Sequence, residues 1–146
     1  MKRPKVILLV ENDIEYQPLF MEAIGEIENA SLIAITNNVR QALNRLNNHL
    51  RLPDIIFMDV DTPVMNGLEC LAEIVNTPEL RHIPVVILST DGLQADFLYR
   101  LGAKALIKKT GDSKTLRTQL EILINSGFVA DWHMTDQTFQ TGLLGS

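Results

Sequence analysis

The sequence predicts one α/β domain in which a doubly wound, five-stranded parallel sheet has helices on both faces. Two observations predict this class. Five short apolar runs rich in β-branched residues alternate with longer segments of helical spacing, which is typical of βα units joined by right-handed crossovers. The runs are apolar at successive positions rather than at alternate ones, as expected for parallel strands buried on both faces.

Each predicted strand is followed by a predicted helix. The strands are residues 6–10, 32–35, 55–58, 85–88 and 105–107. The first helix should begin near Glu15, because Pro18 is tolerated only in the first turn of a helix. Apolar residues spaced three and four positions apart predict the later helices within residues 39–50, 68–75, 97–101 and 116–124. Gly102 and the pair Asp112-Ser113 fall at predicted helix ends, where a permissive backbone or a side-chain cap is needed.

Composition limits the function classes. A chain of 146 residues with 46% hydrophobic and 21% charged residues fits one ordinary globular domain. We assign residues 1–128 to that domain and residues 129–146 to a C-terminal tail. The net charge of −5 argues against a nucleic-acid surface. The lone Cys70 excludes an internal disulfide, and no apolar run is long enough to span a bilayer, so a cytoplasmic protein is expected.

Polar residues follow the predicted strands where each one ends. They are Glu11, Asn12 and Asp13 after the first strand, Asp59 and Asp61 after the third, Ser89, Thr90 and Asp91 after the fourth, and Lys108 and Lys109 after the fifth. Ligands of open parallel sheets bind beyond the carboxyl ends of the strands. Acids from two strands would attract a hard cation such as Mg²⁺, which prefers oxygen ligands. This edge therefore predicts a site for an aspartate nucleophile and a phosphoryl group.

Four segments together resemble response-regulator receiver domains. They are PDIIFMDVDTPVMNGLE at residues 53–69, LLVEND at 8–13, IPVVILS at 83–89 and LGAKALIKK at 101–109. They occur in the order and at the spacing of that family, and the resemblance extends over about residues 5–128. It implies the flavodoxin-like strand order 2-1-3-4-5.

The resemblance also implies the roles of individual residues. Asp59 is the expected phosphoacceptor, Ser89 the hydroxyl that meets the phosphoryl group, and Lys109, rather than Lys108, the cation that does so. The expected Mg²⁺ ligands are Glu11, Asn12, Asp59 and the main chain of Asp61. Thr90 and Leu106 occupy the expected switch positions.

The implied function is that of a two-component receiver rather than an enzyme, with phosphoryl transfer to itself and slow autodephosphorylation. The phosphodonor would be a histidine kinase or a phosphotransfer protein. The signal would leave through contact with a downstream protein, without direct binding to nucleic acid or membrane.

Three positions depart from the family pattern. Asn12 stands where the family has a second acid, so a weaker affinity for Mg²⁺ is expected. Leu106 stands where the family has its switch aromatic, so the readout should run through the region of strand four and helix four. Thr110 replaces the usual cis-proline after the lysine, and because a non-proline cis bond costs about 3 kcal/mol, a trans bond is expected.

Two alternatives remain open from the sequence. Asn12, Leu106 and Thr110 are compatible with a pseudo-receiver, an adaptor of the same fold that works without phosphorylation. Asp59 and Asp61 also match the Asp-x-Asp of haloacid-dehalogenase-type phosphohydrolases. Pro63 argues against that enzyme class, as does the position of the motif in the middle of the chain.

Overall fold

A computed structural model of the chain describes residues 3–37, 39–48, 51–60, 67–90 and 95–126. Strands and helices alternate along this part of the chain as predicted. They are β1 (Lys5–Val10), α1 (Tyr16–Gly25), β2 (Ala30–Thr36), α2 (Val39–Asn47), β3 (Ile55–Asp59), α3 (Gly67–Val75), β4 (Val85–Ser89), α4 (Ala95–Leu101), β5 (Ala105–Lys108) and α5 (Ser113–Ser126). Glu15 is the N-cap of α1, which confirms the start inferred from Pro18.

The five strands form one parallel sheet in the order β2-β1-β3-β4-β5, which confirms the predicted strand order. Alternate residues of β1 supply two separate cores. Ile7 and Leu9 pack with α1 and α5 on one face, whereas Leu8 and Val10 pack with α2, α3 and α4 on the other. Burial on both faces explains why the central strands are apolar at successive positions.

Strand β2 is less buried than the central strands. Residues 32–35 are only half-buried. Strand β2 lies at an edge of the sheet and pairs with β1 alone, but β5 at the other edge is largely buried. The register between β1 and β2 shifts between Ile7 and Leu8. An apolar run therefore identified the strand, but not its position at the edge.

Gly102 ends helix α4 in a left-handed conformation, with φ at 119°. Its N–H donates to the carbonyl of Tyr99, and the N–H of Ala103 donates to the carbonyl of Leu98, which is the Schellman pattern of a helix C-terminus. A Cβ on residue 102 would lie 2.7 Å from Cγ2 of Val75. Glycine is thus required here by conformation and by space.

Gly102→Ala is therefore expected to lower the free energy of unfolding by at least about 1–2 kcal/mol, the cost of a left-handed residue with a side chain. Urea denaturation of the variant measures the loss. Gly25→Ala is the matched control, because a Cβ at that helix end would meet nothing within 4 Å. Equal unfolding midpoints for the two variants would contradict the assignment.

Three predicted features lie outside the described residues. They are the C-terminal tail at residues 129–146, Asp61 and Asp91. Within the described ranges, every helix is too short or too polar to cross a membrane.

Candidate functional site

The carboxyl ends of four strands meet at one edge of the sheet and carry the predicted site residues. Val10 pairs with Met58, so the residues that follow them, Glu11 and Asp59, lie on neighbouring strands. Ser89 ends β4 on the other side of β3, and its carbonyl accepts the N–H of Lys109 at 2.8 Å. The parallel register thus brings groups that are up to 98 positions apart in the chain to one place.

The side chain of Lys109 joins the two carboxylates. Its Nζ lies 3.0 Å from Oε1 and 3.1 Å from Oε2 of Glu11, and 3.3 Å from Oδ2 of Asp59. The side chain of Lys109 is 13% exposed, that of Asp59 6% and that of Glu11 0%. Charge pairs this well shielded from water interact much more strongly than pairs at the surface.

Two acids share one cation in this cluster, which shifts the acid–base equilibria. Burial, followed by the hydrogen bond and charge of Asp59, raises the pKa of Glu11 to about 7, although Lys109 acts in the opposite direction. Burial alone would lower the pKa of Lys109, but its contacts with Glu11 and Asp59 outweigh that effect, so the pKa is raised. The ammonium of Lys109 therefore stays charged at neutral pH. Its single positive charge does not balance two ionised carboxylates.

Backbone and side-chain donors fix the position of Glu11. The N–H of Asp13 donates to Oε2 of Glu11 at 3.1 Å, and Nε2 of Gln17 donates to the Glu11 carbonyl at 2.6 Å and to Oδ1 of Asn37 at 3.0 Å. Oδ1 of Asp13 accepts the N–H of Glu15 in the turn that begins α1. Asp13 therefore stabilises the turn at the start of α1.

Tyr16 and Gln17 are site neighbours that the sequence analysis did not identify. The ring centroid of Tyr16 lies 4.7 Å from Nζ of Lys109. Tyr16 is 5% exposed, and its hydroxyl has no hydrogen-bond partner in the part of the chain that the structure describes. Burial and the charges of Glu11 and Asp59 raise its pKa, so it is a neutral phenol. One signal was available: Tyr16 is an aromatic residue five positions after Glu11, in a chain with only 5% aromatics.

Other predicted residues are exposed or lie outside the described part of the chain. Asn12 is exposed, Lys108 is exposed, and Asp61 lies outside the described residues. Thr90 is exposed and lines an open cleft of about 370 Å³ with Tyr16, Lys109 and other residues. The Lys109–Thr110 peptide bond is trans, as expected.

The position of Leu106 argues against a switch of the aromatic type. It is 1% exposed and belongs to the apolar core on the face of α2, α3 and α4. A leucine in that core has no polar end that could swing toward solvent, so its part in a readout would be through packing.

The donor set fits a hard divalent cation. Glu11 and Asp59 present carboxylate oxygens from adjacent strands, and Oε1 of Glu11 is buried with the ammonium of Lys109 3.0 Å away. Among the same residues, no group of three acidic, imidazole or thiol side chains forms a complete metal site. A cation here would thus need main-chain or water ligands as well, and Mg²⁺ commonly keeps several waters.

Comparisons with known proteins agree with this arrangement. Residues 7–121 match the model of the response regulator receiver domain. The response regulator Rcp1 of Synechocystis is 32% identical over 121 residues, which cover 77% of this chain and 82% of Rcp1. The chain spans only a fifth of a protein-glutamate methylesterase/protein-glutamine glutaminase from Desulfotalea psychrophila and about half of the probable transcriptional regulator ycf29 from Pyropia yezoensis.

Two solved structures show the same fold. The phosphorylated cyanobacterial phytochrome response regulator RcpA superposes with a TM-score of 0.74 at 27% identity, covering 90% of this chain and 96% of RcpA. The Mn²⁺-bound form of response regulator Rcp1 superposes with a TM-score of 0.70 at 31% identity, covering 81% of this chain and 90% of Rcp1.

Proposed function

Because the chain belongs to the response regulator receiver domain family of two-component signalling, we propose that it accepts a phosphoryl group on Asp59. One observation carries the proposal: the ammonium of Lys109 contacts the buried carboxylates of both Asp59 and Glu11 at the carboxyl edge of the sheet. A charged, buried lysine beside a carboxylate can pair with the oxygens of a phosphoryl group that arrives there.

The residues of this chain have separate parts in the proposed transfer. A carboxylate oxygen of Asp59 forms a bond to phosphorus as the bond between phosphorus and the donor breaks. Lys109 pairs with one phosphoryl oxygen, and the hydroxyl of Ser89, at the end of β4, donates to another. Glu11 is held by Asp13 and Gln17, so Lys109 has a fixed partner besides Asp59.

Glu11 and Asp59 would hold a divalent cation, with the main chain of Asp61 and the exposed Asn12 as further proposed ligands. Mg²⁺ supplies positive charge that offsets repulsion between the carboxylates and an anionic donor. The Mn²⁺-bound form of Rcp1 shows that a relative of this chain binds such an ion. Because Asn12 carries no charge, we expect a lower affinity than in receivers with two acids.

The proposed donor is a histidine kinase or a phosphotransfer protein, and the proposed receiver of the signal is a downstream protein. The proposed compartment is the cytoplasm, where the buried, unpaired Cys70 would remain a thiol; burial raises its pKa to about 12. The response-regulator relatives give no support to a phosphohydrolase of the haloacid dehalogenase type.

A titration with Mg²⁺ and beryllofluoride tests the proposal. Beryllofluoride forms a phosphoryl mimic on a receiver aspartate, so amide resonances of Asp59, Ser89 and Lys109 should shift when both reagents are present. Beryllofluoride without Mg²⁺ is the control and should shift none of them. If the spectrum with both reagents equals the spectrum of the free protein, the pseudo-receiver alternative replaces the proposal.

A further inference from the structure

We propose that Tyr16 is a positioning residue whose ring holds the ammonium of Lys109 beside Asp59. The inference rests on the proposed function, because it assigns a role within the same phosphoryl site. It concerns the aromatic face of Tyr16 and not its hydroxyl.

The contact itself is short and shielded. Nζ of Lys109 lies 4.7 Å from the ring centroid of Tyr16, and both side chains are largely buried. A cation within about 6 Å of an aromatic face is attracted by the ring quadrupole, and the attraction grows when water is excluded. The ring thus contacts the ammonium independently of the two carboxylates.

Helix α1 and the core hold the ring of Tyr16 in place. Tyr16 is the first residue of α1, and its N–H donates to the carbonyl of Asp13 at 3.1 Å. Its side chain belongs to the core between α1, α5 and the sheet. One turn later, Phe20 packs edge-on against Phe57 of β3, with ring centroids 5.2 Å apart. This packing fixes α1 against the strand that ends in Asp59.

Lys109 needs such a neighbour because its own stem is flexible. A lysine side chain has four rotatable bonds and a point charge, so its position depends on its contacts. Arrival of a phosphoryl group on Asp59 would redistribute the contacts between Lys109 and the carboxylates. An aromatic face is neutral and does not compete with phosphoryl oxygens as a third carboxylate would. Tyr16 can therefore keep the ammonium in place before and after transfer.

The hydroxyl of Tyr16 is not required by this arrangement. It is buried and has no hydrogen-bond partner among the described residues, and an unpartnered buried hydroxyl disfavours the folded state. Tyr16→Phe should therefore keep both the ring contact and the fold. Tyr16→Leu removes the ring face but leaves an apolar side chain in the core.

The test compares these two variants by nuclear magnetic resonance and by labelling. In the free protein, the methylene protons next to Nζ of Lys109 should show an upfield ring-current shift, which Tyr16→Phe retains and Tyr16→Leu loses. The maximal rate of labelling from acetyl phosphate with Mg²⁺ should stay within about twofold for Tyr16→Phe and fall about tenfold for Tyr16→Leu, since loss of a shielded cation–π contact corresponds to that factor. Phe97→Leu, at an exposed position of α4, is the control for loss of an aromatic ring and should leave the ring-current shift in place.

Each other outcome has a definite reading. A normal rate in Tyr16→Leu would overturn the positioning role, and an equal loss in both variants would assign the role to the hydroxyl instead. If wild type takes up no label, the proposed function fails, whereas the ring-current shift still reports whether Tyr16 positions Lys109.

Discussion

Asp59→Ala is expected to take up no phosphoryl label from acetyl phosphate and Mg²⁺, whereas wild type should approach one phosphoryl group per chain. The carboxylate of Asp59 is buried and in contact with the ammonium of Lys109, which would pair with the charge of the incoming group. Removal of the nucleophile leaves no oxygen in its place, and loss of a group that forms the covalent bond lowers rates by about a hundredfold or more. Intact-mass spectrometry against time measures the difference.

Asp54→Asn is the matched control for this experiment. Asp54 lies directly before β3, at the amino ends of the strands and so opposite the candidate site. Its Oδ2 accepts the N–H of Val6 there at 2.7 Å. An asparagine oxygen can accept that hydrogen bond, so the variant should fold and be labelled like wild type. Equal labelling of Asp59→Ala and wild type would contradict the assignment of Asp59.

The time course also separates the alternatives raised by the sequence. A receiver should show stoichiometric labelling followed by slow decay, because the acyl phosphate on Asp59 is a product rather than a passing intermediate. Steady release of phosphate with continued turnover would indicate a phosphohydrolase. A chain that takes up no label, with intact fold, would be an adaptor of the pseudo-receiver kind.

The fold was predictable because burial dictates the pattern of each strand. Strands β1, β3, β4 and β5 are almost completely buried, and apolar runs satisfy that requirement except at the polar strand ends Asp59 and Ser89. The edge position of β2 was not readable, because its run 32–35 is as apolar as the others. Its place at the edge depends on which strands pair with it, which is a property of the sheet and not of the segment.

The sequence predicted which charged residues lie together at the candidate site, but only part of its geometry. The resemblance favoured Lys109 over Lys108, and the structure places the ammonium of Lys109 in contact with both carboxylates while Lys108 is exposed. The exposure of Asn12 could not be predicted, because it depends on how the chain leaves β1. Tyr16 and Gln17 were missed since polar and aromatic residues are common in the first turn of a helix, and only the docking of α1 brings them to the site.

The second large effect concerns Glu11. Its pKa should make the free energy of unfolding depend on pH in the absence of a divalent cation. Burial and the neighbouring Asp59 raise the pKa of Glu11 from 4.5 to about 7. Between these values the folded chain keeps a proton that the unfolded chain has lost. Stability therefore falls as pH rises through this window and levels off above about pH 7, with a total loss of up to about 3 kcal/mol from this group. Lys109 stays charged throughout the window because its pKa is raised.

Glu11→Gln should remove this dependence. The amide keeps the shape of the side chain and does not titrate, and Lys109 then faces one carboxylate, that of Asp59. Urea denaturation in a chelator at several pH values should show wild type losing up to about 3 kcal/mol more than the variant between pH 4.5 and about 7. Glu121→Gln, at an exposed position of α5, should follow wild type. If the free energies of unfolding of wild type and Glu11→Gln change equally with pH, the charge of Glu11 does not destabilise the folded chain.

Addition of Mg²⁺ relates this loss of stability to the proposed function. A cation that binds the folded chain stabilises it in proportion to the logarithm of its concentration over Kd. Above about pH 7, Mg²⁺ should therefore restore stability to wild type and have much less effect on Glu11→Gln, which lacks one of the two carboxylates. The charge that destabilises the free site is thus the charge that would bind the metal, so the gain from Mg²⁺ should be largest at the pH where the cation-free protein is weakest.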